Sequence, residues 1–308
     1  MKTILMATEK PFASGAVERI KETIKKHSDY ELQLLEKYPD QSVLLNSVEH
    51  VDALVVRSDK VDQQLLDRGN SLKIIVRAGT GVDNIDLDAA RRKGIVVMNT
   101  PGQNSNAVAE LALGLILGLI RNKYNGKAGT ELRGKCIGMH GFGHVARRMS
   151  QMAKGFNMDV WAFDPFLDHK QVALQGVHPC NTLEEMYEHC DFISINLPLN
   201  EDTHKTINYE LLSKTRDHVL VVNTARKELI DEPDLLRVMK EKSGLRYTSD
   251  VAPDCKEEIS SSYPDRVLFT SRKMGAQTVE ANENAAVAAV QQVIRFFEEG
   301  DTHFQVNR

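Results

Sequence analysis

The sequence predicts an α/β fold made of two doubly wound parallel-sheet units, and three observations carry that expectation. The chain has 308 residues, more than one hydrophobic core usually organises. Short runs rich in Val, Ile and Leu alternate with amphipathic, charge-flanked segments along the chain, the pattern of parallel strands covered by helices on both faces. One run leads into a glycine-rich turn, GMHGFGHVARRM at 138–149, the strand-to-helix join on which such sheets build their sites.

Taken in order, TILMA (3–7), ALVVR (53–57), KIIVRAG (73–79) and GIVVMN (94–99) read as strands, and 15–26, 62–68 and 86–93 as helices between them. MKTILMATEK lacks the long apolar core and cleavage site of a signal peptide, so the first strand is expected to begin there. TPGQN at 100–104 breaks the pattern as a hinge would. Ser105 or Asn106 then caps an apolar helix running to about Asn122, expected to link the two units. Its core, AVAELALGLILGLI at 107–120, contains Glu110 and falls short of the roughly 20 residues a membrane span needs, so it reads as a buried helix.

Six further strands follow: KCIGMHG (135–141), DVWAFDP (159–165), FISINLP (192–198), HVLVVNTA (218–225), LRYTSDVA (245–252) and RVLFTS (266–271). An alanine-rich helix over 279–299 is expected to pack back on the first unit. The implied domains are 1–100 plus 279–308, and 101–278.

Composition narrows the partners. With 39 basic and 43 acidic side chains, a net charge of −4 and no long charge blocks, neither nucleic acid nor a membrane surface is expected. A small soluble molecule is. Cys136, Cys180, Cys190 and Cys255 show no CxxC spacing, which reads as reduced thiols in a cytoplasmic protein without a metal.

In the glycine turn, Gly141-x-Gly143-x-x-Ala146 follows a strand and opens a helix. The glycines allow a tight turn and let backbone N–H groups, from Phe142 and Gly143 to His144 and Val145, approach a pyrophosphate at the helix N-terminus. The next strand ends in Asp164, where a carboxylate accepts hydrogen bonds from ribose hydroxyls. It would repel a 2′-phosphate, and Pro165 and Phe166 bring no compensating arginine. NAD is therefore the expected cofactor, bound by a Rossmann-like unit, with His140 and His144 as bystanders.

Six stretches carry a resemblance over nearly the whole chain: VVRSDKVD (55–62), VRAGTGVDNIDLDAARRKGIVVMNTP (76–101), NAVAEL (106–111), GFGHVARRM (141–149), LPLNEDTHKTIN (197–208) and VVNTARKELIDE (221–232). On them the chain resembles the D-2-hydroxyacid dehydrogenases, closest to their phosphoglycerate dehydrogenase branch. The resemblance implies two Rossmann-like domains: a discontinuous substrate domain formed by both chain ends and a nucleotide-binding domain between them. It also implies hydride transfer between NAD and C2 of a 2-hydroxy acid, a homodimer through the nucleotide-binding domain, and no regulatory domain after FFEEGDTHFQVNR.

The favoured substrate is 3-phosphoglycerate, oxidised to 3-phosphohydroxypyruvate at the entry to serine biosynthesis. The alternatives are a glycerate or hydroxypyruvate reductase and a non-catalytic NAD sensor. Carried onto matching positions, Arg226 is the essential substrate arginine, Arg57 with Ser58 a second substrate contact, and Ala78-Gly79-Thr80 a backbone anion site. Pro198, Thr203, Asn223, Thr224, Ala225, Arg226 and Gly275 line the cofactor, while Asp250 holds the carboxamide of nicotinamide. For a substrate phosphate, Arg77, Lys60 and Arg133 are candidates.

One pattern breaks. The family's PHxGAxT stretch, with its catalytic histidine, appears here as SRKMGAQT (271–278), with Lys273 in the histidine's place. Cys255 stands where the family's partner glutamate falls, and none of Asp254, Glu257 and Glu258 aligns with it. An unperturbed lysine, near pKa ~10.4, is an acid at neutral pH and a base only when cationic neighbours depress it. Lys273 is therefore expected to carry the proton as acid or base, or to act by charge alone.

Overall fold

The computed structural model describes residues 1–9, 11–12 and 14–308. The chain divides into two compact units, Met1–Asn104 with Ala276–Arg308, and Ser105–Gly275.

The first unit holds a parallel sheet of β1 (Lys2–Thr8), β2 (Tyr30–Glu36), β3 (Ala53–Val56), β4 (Ile74–Arg77) and β5 (Val96–Asn99) in the order β2-β1-β3-β4-β5. Strands β3 and the first three residues of β4 are fully buried, as continuous apolar runs covered on both faces must be. β2 and the helix Gln41–Ser47 lie outside the expected elements. YELQLLE pairs on one side only and leaves most of its residues accessible, so its apolar signal is diluted by polar residues.

The helix Val279–Glu299 belongs to this unit. The Thr278 side chain accepts from Ala281 N and caps it, and Gly300, at φ 69°, ends it in the left-handed region. Its Ala286, Ala289, Val290 and Val293 are inaccessible within a core shared with Ala16 and Ile20 of the helix Ser14–Lys25. Beyond it the tail returns to β5. Val306 N donates to Val97 O, while the buried Asn307 accepts from Val97 N and donates to Ile95 O. A side-chain amide thus closes a sheet edge, which composition does not reveal.

The second unit holds β6 (Cys136–His140), β7 (Asp159–Phe163), β8 (His178–Pro179), β9 (Phe192–Ile195), β10 (Leu220–Asn223), β11 (Arg246–Ser249) and β12 (Val267–Phe269). They form one parallel sheet in the order β12-β11-β10-β9-β6-β7-β8. The order reverses beside β6, the switch point at which doubly wound sheets bind ligands. The extra strand β8 is two residues long, too short for any periodicity. The apolar helix Ser105–Ile120 lies within this unit, packed with Ala146, Met149 and Ala153 of the helix His144–Gly155. It is a core element of the second unit and opens it where the chain leaves the first.

The unit division also falls at Asn104 and Ala276, whereas the sequence suggested 100 and 278. Residues 100–104 stay with the first unit because Thr100 N donates to Gly79 O and Thr80 Oγ1 donates to Asn104 Oδ1. Every strand bearing a candidate residue stops just before it or at it. β3 ends at Val56, β4 at Arg77, β6 at His140, β7 at Phe163, β10 at Asn223 and β11 at Ser249. The candidates therefore gather at the carboxyl edge of each sheet.

Candidate active site

In the second unit the turn after β6 is shaped by Gly141, at φ 85°, where a Cβ would sit 2.9 Å from Asn196 O. Only glycine fits both constraints. Gly143 precedes the helix His144–Gly155, which has no side-chain cap, and nothing lies within 4 Å of a Cβ built on it. Open space at an uncapped helix start suits a pyrophosphate.

Asp164 braces this turn. Its Oδ2 accepts from Phe142 N at 2.9 Å and its Oδ1 from Phe166 N at 3.0 Å, leaving lone pairs for ribose hydroxyls. Beneath the turn, His140 is buried against Tyr187 OH at 3.1 Å, and burial pushes its pKa down to about 4. It is held neutral. His144 is exposed, and Val145 packs on the core.

Two assignments need correction. Phe142 and Asn223 are 0 % exposed, so neither side chain can line a ligand. Phe142 packs among core residues and offers the turn only its amide, already given to Asp164. Asn223 spends both ends of its amide on the next turn: Oδ1 accepts from Ala225 N at 3.0 Å and Nδ2 donates to Arg226 O at 2.9 Å.

That turn carries Arg226, half-buried, with Nη1 donating to Ala225 O at 2.9 Å. Thr224 is buried beside it, and Lys227 pairs with Asp254. Burial, then the charge of Glu232, pushes the Cys255 thiol up to about 12. Cys255 is thus a neutral thiol and no substitute for a relay carboxylate. Glu232 instead accepts from Asp254 N and Cys255 N, both at 2.8 Å. On the loop after β9, Thr203 Oγ1 donates to Pro198 O at 2.7 Å.

Asp250 is 2 % exposed. Its Oδ2 accepts from Met274 N at 2.9 Å and Gly275 N at 2.7 Å, while its Oδ1 has no partner among the described residues. A buried carboxylate oxygen left over is an acceptor awaiting a donor, and a carboxamide NH2 supplies one. The same bonds fix Lys273, because Met274 follows it and Arg272 O, preceding it, accepts from Thr270 Oγ1 at 2.7 Å. Its side chain is exposed.

In the first unit a cavity of about 90 Å³ is lined by Arg57, Ser58, Arg77, Gly79, Asn104 and Asn282, among others. Arg57 is partly buried, which lowers the pKa of its guanidinium against the opposing charge of Asp59. Its Nη2 donates to Asn282 Oδ1. The Asp59 carboxylate, 3 % exposed, accepts from Arg57 N and from Glu9 N and Tyr38 OH. Arg77 Nε donates to Arg57 O at 2.9 Å, and its guanidinium would meet a Cβ on Gly79 at 1.6 Å. Glycine there makes room for the arginine.

The expected backbone anion site is smaller than drawn. Ala78 N donates to Val56 O and Gly79 N to Arg77 O, both at 2.8 Å. Among the described residues only the Thr80 amide of the three is left to a ligand. Arg57 and Arg77 are the charged side chains that line the cavity beside it. Asn282 and Asn104 escaped sequence reading because an asparagine on a helix or after a turn has no distinctive pattern. A larger cavity, about 200 Å³, opens at the other edge of the second sheet near Lys135, Asp191 and His218. It holds none of the candidates, and chemistry here follows side chains rather than volume.

Residues 6–307 match the family described as D-isomer specific 2-hydroxyacid dehydrogenase, catalytic domain. The chain belongs to that family. A hydroxypyruvate reductase of Thermotoga maritima is 35% identical over 287 residues, 86% of this chain and 91% of that protein. A D-3-phosphoglycerate dehydrogenase of Methanocaldococcus jannaschii is 34% identical over 81% of this chain and 50% of that protein. The chain spans about half the length of that relative and of the Bacillus subtilis protein of the same name. Among solved structures, the NAD+-bound 3-phosphoglycerate dehydrogenase of Entamoeba histolytica superposes with a TM-score of 0.89 at 40% identity, covering 100% of this chain and 99% of that one. D-2-hydroxyisocaproate dehydrogenase, at 22% identity and TM-score 0.80, shares the fold.

In this 2-hydroxyacid dehydrogenase the positions at which the resemblance expects an arginine and an acid hold Arg226 and Asp250, and those at which it expects a histidine and a glutamate hold Lys273 and Cys255. Among the described residues no group of His, Cys, Asp and Glu side chains could hold a metal ion, and no helix is long and apolar enough to cross a membrane.

Proposed function

We propose that the chain is an NAD-dependent dehydrogenase of 3-phosphoglycerate, interconverting it with 3-phosphohydroxypyruvate at the entry to serine biosynthesis. The observation that carries the substrate is the pairing of Arg57 and Arg77 around one cavity. A dianionic phosphate matches two guanidinium groups in charge and geometry, whereas an uncharged hydroxymethyl group offers them a single neutral acceptor. The uncapped helix start, Asp164 and the orphan Oδ1 of Asp250 suit pyrophosphate, ribose and carboxamide in turn.

Bound NAD supplies the hydride acceptor. Arg226 orients the substrate carboxylate through charge-assisted hydrogen bonds. Lys273 exchanges the hydroxyl proton: as an ammonium it protonates the C2 oxygen in reduction, and as an amine it accepts that proton in oxidation. The ammonium form is the one that gives a proton, so reduction of the keto acid is expected to be the faster direction at pH 7. A homodimer through the second unit and a cytoplasmic location complete the reading.

The competing reading is a hydroxypyruvate reductase, favoured by the length match with the Thermotoga maritima protein. NADH consumption with phosphohydroxypyruvate, hydroxypyruvate, glyoxylate and pyruvate separates the two. The highest kcat/KM is expected for phosphohydroxypyruvate. Arg77→Gln should lower it about 10–100-fold, the loss of one charged hydrogen-bond partner, and leave hydroxypyruvate almost unaffected. Equal losses on both substrates would favour the reductase. No turnover with any of the four would leave an NAD-binding sensor.

A further inference from the structure

Arg226, Asp250 and Lys273 come from three different segments of the second unit, and nothing in a strand-end loop by itself keeps such residues in register. Two fully buried polar side chains, Ser249 and Asn223, lie among them. Ser249, the last residue of β11, is 0 % exposed. Its Oγ donates to Asn223 O at 2.7 Å and accepts from Val251 N at 2.9 Å, and its carbonyl accepts from Thr270 N at 3.3 Å. Asn223, also 0 % exposed, carries the connection onward through Ala225 N and Arg226 O. From Val251 the chain is one residue from Asp250, whose Oδ2 holds Met274 N and Gly275 N. From Thr270 it is three residues from Lys273, with Thr270 Oγ1 on Arg272 O.

We propose that Ser249, acting with Asn223, is the positioning residue that sets the placement of Arg226, Asp250 and Lys273 relative to one another. The hydroxyl is suited to this because it donates and accepts at once, joining the end of β10 to the turn that leaves β11. A methyl group there would leave the buried Asn223 O and the partly buried Val251 N each short of a partner. Satisfied buried networks of this kind hold one geometry, and a displacement of about 1 Å in a reacting group costs up to roughly 10²-fold in rate. The inference rests on the dehydrogenase reading for what the three residues do, while the frame itself is a property of the fold.

The test is Ser249→Ala, which removes one oxygen and adds no volume, with Asn223→Asp as a second variant that keeps the shape and the acceptor for Ala225 N but loses the donor to Arg226 O. In Ser249→Ala, kcat for keto-acid reduction should fall about 10-fold with the NADH dissociation constant changed less than about 3-fold. In Asn223→Asp the loss should fall mainly on the keto-acid KM, because Arg226 alone is released. The double variant should lose less than the product of the two, as residues in one network do. Amide hydrogen exchange supplies a readout free of turnover: Ser249→Ala should speed exchange at Ala225 and Gly275, which do not touch Ser249, as well as at Val251. Turnover within twofold of the unmutated protein, or faster exchange confined to Val251, would overturn the proposal. Should the unmutated protein reduce no keto acid, the dehydrogenase reading fails, and the exchange pattern still decides on the frame.

Discussion

The pocket of the first unit and the site of the second are built from opposite materials. In the first, Arg57 and Arg77 present charged side chains to a cavity, and the amides of Ala78 and Gly79 are turned to the protein's own carbonyls. In the second, the groups offered to a ligand are an uncapped helix start and a spare carboxylate oxygen, while Asp164 and Asp250 hold backbone amides in place. A site made of long cations tolerates displacement of its backbone but not loss of charge. A site made of backbone tolerates most side-chain changes and fails when the chain path is altered.

That contrast orders the substitutions. The largest effect is expected where a charged side chain stands among backbone elements: Arg226→Gln should lower kcat/KM for the keto acid by roughly 10³-fold, measured in steady state with NADH binding followed separately. Next comes the pair of glycines. Gly79→Ala strains a backbone at φ 154° and drives a methyl into the Arg77 guanidinium, the far end of a flexible side chain. It should raise KM for the phosphorylated substrate about tenfold by moving that charge. Gly141→Ala, also at positive φ, meets a backbone carbonyl that cannot swing away, and should cost about 1–3 kcal/mol of stability, read as a lower Tm with weakened NADH binding. If Gly79→Ala proves the more destabilising and Gly141→Ala the more selective against substrate, the contrast between the two units is reversed.

Much of this was legible in the residues themselves. Strands such as ALVV and CIGMH are buried over their whole length and announce themselves as apolar runs, and the glycine turn with Asp164 is local enough to be read by spacing. Elements whose role is to close an edge were not. β2 is mixed in character because one flank has no partner strand among the described residues, and the tail pairs through three hydrogen bonds, two of them from the Asn307 side chain, that leave no pattern. Within the site, a motif names residue types but not which atom faces a ligand. Phe142 and Asn223 sit inside their motifs with buried side chains, and Arg77, at the end of a strand, gains its place only when Arg57 O is seen beneath it. Ser249 is the extreme case, since a serine closing a β-strand carries no signal until its neighbours are known.

The exposed Lys273 stands where the family's histidine is expected, pinned through the residues on either side of it. Pre-steady-state and steady-state NADH oxidation by Lys273→Ala, beside direct NADH binding, tests most directly whether an ammonium group moves the proton. Turnover of phosphohydroxypyruvate should fall by about 10²-fold, with NADH affinity held. A variant that turns over within a factor of two of the unmutated chain would contradict the assignment.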